Sequence, residues 1–244
     1  MNFHAATMAA RLCDYHQINR FLFASTCSVY GQNAGSNTLL TEQSELNPLS
    51  LYAKTKIDSE EAILGLGDGS FNPTVLRMAT VYGLSPRMRF DLVVNVLTAK
   101  AHTESKIPIF GGEQYRPNVH VADATRAFIA CLEAPIDDVG GEVFNVGSNE
   151  QNYKISEIGE IVSDCFPEAE IERHPEDTDE RSYRVDFSKI RETIGYDNQH
   201  TVRDGVKEIK TALENGELDD FTDEKYHNYK SLKDDVTTFP AEAQ

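Results

Sequence analysis

Apolar and polar positions along the chain fall into alternating helix-like and strand-like stretches. Small and apolar residues recur on a helical period over residues 2–18 (Ala5, Ala9, Leu12), predicting a helix that Asn19 and Arg20 end. Phe21 to Ala24 is an unbroken apolar run, the pattern of a strand buried on both faces. Residues 31–48 are loop by composition. A second helix is predicted over 50–66, stopped by the Gly67–Gly69 region, and Thr74–Tyr82 reads as another buried strand. Beyond it come a helix over 90–101, a short strand over 107–110 before Gly111-Gly112, and a connecting segment over 117–121. A helix follows with Asp123 at or near its N-terminus. Residues 141–148 read as a last buried strand, and 155–165 and 202–214 as helices. The chain between those two helices is acidic and irregular, and a polar tail follows about Asp220. Strands alternating with helices imply an α/β fold, a parallel sheet with helices on both faces.

Composition narrows the function. At 244 residues and 40% hydrophobic, the chain can bury a core for one large domain or two unequal ones. Its 23 basic and 40 acidic side chains give a net charge of −17, which repels phosphate backbones and anionic lipid and argues against nucleic-acid and membrane partners. No apolar run approaches the roughly 20 residues of a spanning helix, and Met1-Asn2-Phe3-His4 does not resemble a signal peptide. Cys13, Cys27, Cys131 and Cys165 are scattered with no CxxC pair, which argues against zinc or a disulfide framework and points to the cytoplasm.

Candidate chemistry centres on Tyr52 and Lys56, four residues apart and therefore on one face of the second helix. A phenol of pKa about 10 is a poor base at neutral pH, and a nearby ammonium would favour the phenolate. Tyr226/Lys230 and Tyr229/Lys233 share the spacing, but they lie in the charged tail and read as a solvated face. Tyr52 differs in context: the apolar run 21–24 enters the hydroxyl-rich turn Ser25-Thr26-Cys27-Ser28 about 25 residues before it. In a parallel sheet, ligands bind at such carboxyl ends of strands.

Several segments occur in an order that resembles the extended short-chain dehydrogenase/reductases, specifically the NAD-dependent epimerase/dehydratase family acting on nucleotide sugars. They are STCSVYG (25–31), SLYAKTK (50–56), LRMATVYG (76–83), YRPNVHVAD (115–123), FNVGS (144–148) and RSYRVDFSKI (181–190). The resemblance implies a Rossmann-like doubly wound sheet with a smaller C-terminal α/β substrate-binding region. Residues 1–85 and 116–148 would form the remainder of the NAD-binding domain, 86–115 and 149–220 the substrate-binding region, and 221–244 the polar tail. Tyr52 would be the proton-transferring base, Lys56 would tune it and hold the nicotinamide ribose, and Thr26 would hydrogen-bond the reacting sugar hydroxyl. Ala24, Ser25 and Ala79 would lie along the cofactor, NAD, with NADP as an alternative. Arg116 and Arg181 would reach the sugar nucleotide's diphosphate, a task that suits the planar guanidinium fork. The implied activity is 4-epimerase-like, through a transient keto-sugar. A nucleotide-sugar dehydrogenase or reductase and a non-catalytic binding remnant are the alternatives. Helices 2–18 and 50–66 resemble a pair that many relatives pack against a second copy, implying a homodimer.

The sequence departs from the family pattern in three places. Dehydrating relatives carry Asp-Glu after the threonine, where this chain has Cys27 and Ser28, so dehydration is not expected. Epimerising relatives often carry Asn at the position of Thr80, a candidate substrate contact. No GxGxxG or GxxGxxG occurs, and the family would place roughly 90 residues, about three βα units, before Asn2. The expectation is an N-terminally truncated fragment. Cys27 and His120 are expected to be structural.

Overall fold

The computed structural model describes residues 2–32, 38–176, 181–218 and 220–226. Of the tail pairs that repeat the Tyr–Lys spacing, Tyr226 is partly buried with its ring 5.3 Å from that of Phe90, unlike the solvated face expected of it, and Tyr229, Lys230 and Lys233 lie outside the described residues. In chain order the elements are α1 (Asn2–Tyr15), β1 (Arg20–Thr26), α2 (Leu51–Leu64), β2 (Asn72–Met78), β3 (Thr80–Tyr82), α3 (Val93–Glu104), β4 (Lys106–Phe110) and β5 (Tyr115–His120). They continue with α4 (Val121–Glu133), α5 (Ile136–Val139), β6 (Val143–Val146), β7 (Asn152–Lys154), α6 (Ile155–Cys165), β8 (Glu170–His174), α7 (Ser188–Ile194) and α8 (Val202–Glu214).

The strands β1, β2 and β6 form a parallel sheet in that order, with Ser25 opposite Arg77 and Met78 opposite Val146. Side chains alternate between its faces, as the pleat requires. Phe23 and Val75 join Ala10 of α1 and Ile63 of α2 in one core. Leu76, Phe144 and Val146 join Ala124, Ala127 and Cys131 of α4 in the other. The parallel sheet covered on both faces matches the expectation from the apolar runs. Arg20 donates to the carbonyls of Cys131, Leu132 and Ala134 at 2.5–2.9 Å, satisfying the open C-terminal end of α4. A second core, built from α3, β4, α6 and α8 around Tyr82, Ile107, Ile158 and Val206, lies beside the three-stranded sheet β3-β5-β7 and the pair β4-β8.

Two predicted elements are corrected. Residues 74–82 are two strands, not one. The Ala79 amide makes a last bond to Val146 O (2.9 Å), after which Thr80–Tyr82 pairs with Asn118–His120. Of the 117–121 segment, read as a connection, Val121 opens α4 and residues 117–120 belong to the buried strand β5. Pro117 and the polar Arg116, Asn118 and His120 disguised it, because a proline demotes a strand reading. Here those polar groups are buried and bonded, Asn118 Nδ2 donating to Arg116 O (2.7 Å) and Gln151 O (3.3 Å). The first helix ends at Tyr15, with Gln17 in the left-handed region (φ 58°) and Ile18 N bonding back to Cys13 O at 2.8 Å.

Gly31, which closes the turn after β1, has φ +60°, and a Cβ there would sit 1.6 Å from the carbonyl oxygen of Asn47. Gly31→Ala is therefore expected to cost at least about 1–3 kcal/mol, the usual range for forced overpacking. Urea denaturation checks it, and an unchanged midpoint would refute the close approach.

Candidate active site

The ends of β1, β2 and β6 bring Ala24–Thr26, Met78–Ala79 and Val146–Gly147 side by side. Ser50 caps α2 by accepting from Ala53 N (3.1 Å), which fixes the first turn of the helix and with it Tyr52. Lys56, one turn on, donates from Nζ to Ala24 O at 2.8 Å. Its ammonium also lies 4.6 Å from the ring centre of Phe23 and 5.8 Å from that of Tyr52. Thr26 Oγ1 accepts from Ser28 N at 3.1 Å, shaping the turn, and Thr26 works to lower the pKa of the Tyr52 phenol. Tyr52 itself remains 47% exposed and Ala24 is exposed, so this corner is open to a ligand.

Electrostatics differ from the simple expectation for the pair. Burial raises the Tyr52 phenol above its ordinary value, and the opposing influences are the charge of Arg89 and the hydrogen bond with Thr26. Burial likewise lowers Lys56, opposed by the nearby carboxylate of Glu60. Lys56 is thus spent on the Ala24 carbonyl and does not dominate the phenol. The sign follows: Tyr52 holds its proton past the ordinary tyrosine pKa of about 10. The ultraviolet phenolate signal lost on Tyr52→Phe should have its midpoint above that of free tyrosine, and a midpoint below it would contradict this field.

Three residues that the sequence reading did not single out support this corner. Glu60, one turn beyond Lys56, accepts from Ser25 Oγ and from Arg77 Nη2 (2.7 Å) and Nε (3.1 Å). Arg77 also donates to Tyr30 Oη (3.2 Å), which donates to Asn145 Oδ1 (2.7 Å). Burial works against the Arg77 charge, but Glu60 outweighs it and holds the guanidinium firmly protonated. Arg89, paired twice with Asp91 at 3.0 and 2.8 Å, sits on a segment pinned by Asn95, whose side chain accepts from Gly83 N (3.1 Å) and donates to Arg89 O (3.0 Å). The four-residue spacing of Tyr52, Lys56 and Glu60 was the sequence signal for Glu60; nothing local marks Arg77 or Arg89.

Arg116 and Arg181 come together, for Arg116 Nη1 donates to Arg181 O and to Tyr115 O (2.8 Å). Arg116 is buried, and its guanidinium lies 5.8 Å from the ring centre of Tyr183, whose phenol is raised by burial with the Ser28 side chain acting against the rise. One tyrosine therefore separates the arginines from the 25–28 turn. Ala79 is buried against Gly147, where a Cβ would come within 3.1 Å of its own, and Thr80 is half-buried at the start of β3. Cys27 is buried, and burial pushes its thiol far up, as suits a packing residue. His120 caps α4 by accepting from Ala122 N (3.2 Å) and meets Glu208 at 2.7 Å.

Residues 1–147 match the NAD dependent epimerase/dehydratase family. The chain belongs to this family. It is 30% identical over 208 residues to a Bacillus subtilis strain 168 protein described as an uncharacterized UDP-glucose epimerase, YtcB, covering 84% of this chain and 64% of that one. It is 28% identical over 205 residues to UDP-glucuronic acid decarboxylase 1 of Arabidopsis thaliana, covering 80% and 46% of the two chains. The chain thus spans between about half and two thirds of the length of these relatives. Among solved structures, UDP-glucuronic acid 4-epimerase from Bacillus cereus, in complex with UDP-glucuronic acid and NAD, superposes with a TM-score of 0.73 at 25% identity, covering 88% of this chain and 67% of that one. The family's Rossmann-like α/β fold agrees with the parallel sheet and its two helical faces.

Proposed function

We propose that this chain carries the proton-transfer site of an NAD-dependent nucleotide-sugar epimerase, 4-epimerase-like and acting through a transient keto-sugar. The observation that carries the reading is the half-exposed Tyr52 phenol one helical turn from Lys56, whose ammonium lies 5.8 Å from the Tyr52 ring centre and bonds the end of β1 at Ala24 O (2.8 Å). The residues fit a nicotinamide cofactor. Ala24 offers an exposed strand end with no side chain beyond Cβ, flanked by an ammonium and a phenol suited to ribose hydroxyls. Lys56, with the backbone of Ala24 and Ser25 and the small Ala79, would hold it. When bound, NAD supplies a reversible two-electron oxidation of the sugar carbon.

The chain's own residues then have distinct tasks. Thr26 orients the reacting hydroxyl; Tyr52, raised by burial in the chain alone, would take its proton as the phenolate, a form that the positive charge of a bound oxidised nicotinamide favours, and later return it. Arg116 and Arg181 serve the diphosphate, and Thr80 borders the sugar. The segments 86–115 and 149–220, around the second core, shape the sugar site. UDP-sugars are the favoured substrates, in line with the names of the relatives. Cys27, buried and protonated, supplies no acid for a leaving hydroxyl, which supports epimerisation over dehydration. Among the described residues no helix is long and apolar enough to cross a membrane, and the reading is of a cytoplasmic protein. Exposed Met8, Leu12 and Tyr15 on one face of α1 fit a homodimer through α1 and α2.

The test is incubation of the protein with NAD and a panel of UDP-, GDP-, dTDP- and CDP-sugars. Interconversion of two sugars without net NADH is expected. Stoichiometric NADH would instead establish a dehydrogenase, and neither turnover nor NAD binding would leave a non-catalytic binding chain.

A further inference from the structure

Along one face of α2, at intervals of four residues, stand Tyr52, Lys56 and Glu60. The last two meet successive residues at the end of β1. Lys56 holds Ala24 through its carbonyl (2.8 Å) and Glu60 holds Ser25 through its hydroxyl, while Thr26, next along, opposes the rise that burial gives the Tyr52 phenol. Glu60 at the same time grips Arg77, the residue opposite Ser25 on β2, through two guanidinium nitrogens. The side chains of this pair are 6% and 4% exposed. Burying an ion pair is a poor way simply to gain stability, since desolvation offsets the attraction and apolar residues often serve as well. A bidentate guanidinium–carboxylate pair does impose direction. Here that direction fixes the rotation of α2 against the strand end that receives Lys56 and Tyr52.

We propose that Glu60 is a positioning residue of the site, the third member of this row, which sets where Lys56 and Tyr52 stand against Ala24–Thr26; this rests on reading those two as the proton-transfer pair. Lys56 is half-buried, and Glu60 supplies the carboxylate that opposes its desolvation. Removing that carboxylate should therefore reach Lys56 even though the two side chains bond different partners.

The test is carbon NMR on the 244-residue chain labelled at lysine Cε, with the Lys56 signal assigned by Lys56→Arg. Glu60→Gln is expected to lower the Lys56 titration midpoint by about one pH unit while melting stays cooperative. An unmoved midpoint in a folded Glu60→Gln protein overturns the proposal, because a merely structural Glu60 would lower the melting temperature and leave Lys56 alone. If the stranded Arg77 charge prevents folding, Glu60→Asp keeps the charge but withdraws it by one methylene, and the same measurement decides: a lowered Lys56 midpoint supports the proposal and an unmoved one overturns it. The readout needs no turnover. Failure of the sugar interconversion assay would dismiss the proton-transfer reading, whereas intact turnover with an unmoved Lys56 would dismiss the role of Glu60 alone.

Discussion

Tyr52→Phe should reduce sugar interconversion by about 10²–10⁴-fold, the usual contribution of a positioned general acid–base group. The substitution removes one oxygen and keeps the ring. Tyr52 is 47% exposed and packs at the edge of the site, so stability should change by no more than about 0.5 kcal/mol. The lost turnover would then be chemical and not structural. Thr26→Val should add little in the Tyr52→Phe background, because the two hydroxyls would act on the same proton. Steady-state rates for the two single variants and the double provide the check. A Tyr52→Phe protein that keeps more than a tenth of the wild-type rate would remove the phenol from the mechanism.

Asp123→Ala should cost about 3–5 kcal/mol, the loss expected when one partner of a buried, hydrogen-bonded charge network is removed. Asp123 is completely buried at the start of α4, and its carboxylate accepts from His200 N (2.9 Å), Gln199 N (3.1 Å) and Arg126 Nη1 (2.8 Å). These bonds tie the segment leading into α8 to the helix after β5, and removing the carboxylate strands two backbone amides. Burial by itself raises the Asp123 carboxyl, but the His200 and Gln199 amides, the His200 ring and Arg126 outweigh it and hold the group below the usual carboxylate range. A depressed folded value means that the contribution is complete above the unfolded aspartate pKa of about 3.9 and fades as pH falls through the lower folded value. Thermal melts of wild type and Asp123→Ala should therefore converge in strong acid and differ most near neutrality. A difference that stays constant with pH would show that packing, and not the charge, accounts for the loss.

Much of the sheet was legible because its strands are short apolar runs. Residues 21–24 are an unbroken apolar run with Phe23 buried and Phe21 and Leu22 partly so, and residues 144–146 are buried, so little polar pattern competes with the strand reading. Helices α6 and α8 follow their periodicity to the residue. Strand β5 was hidden by its polar content, since Arg116, Asn118 and His120 each also draw on a partner distant in the chain, Arg181, Gln151 and Glu208, that local sequence does not reveal. Strand β8, with the sequence EIERH, pairs with β4 and is half exposed, so its charges hid its role. Helix α7 is too short at seven residues for a clear helical period.

At the site, the spacing of Tyr52 and Lys56 and the turn at 25–28 drew attention to the right corner, because helix geometry alone puts those side chains on one face. The electrostatic partners were not legible. Arg89 and Arg77 approach through segments 37 and 25 positions from Tyr52, and only the folded chain reveals that Lys56 is committed to the Ala24 carbonyl.

The most direct test is a crystal structure of the protein with NAD and a UDP-sugar that it interconverts. The account predicts one sugar hydroxyl within hydrogen-bonding distance of both the Tyr52 phenol oxygen and Thr26 Oγ1, with Lys56 on the cofactor side of the strand end. A sugar whose reacting hydroxyl contacts neither oxygen, or a Tyr52 ring turned away from Thr26 in the complex, would contradict it.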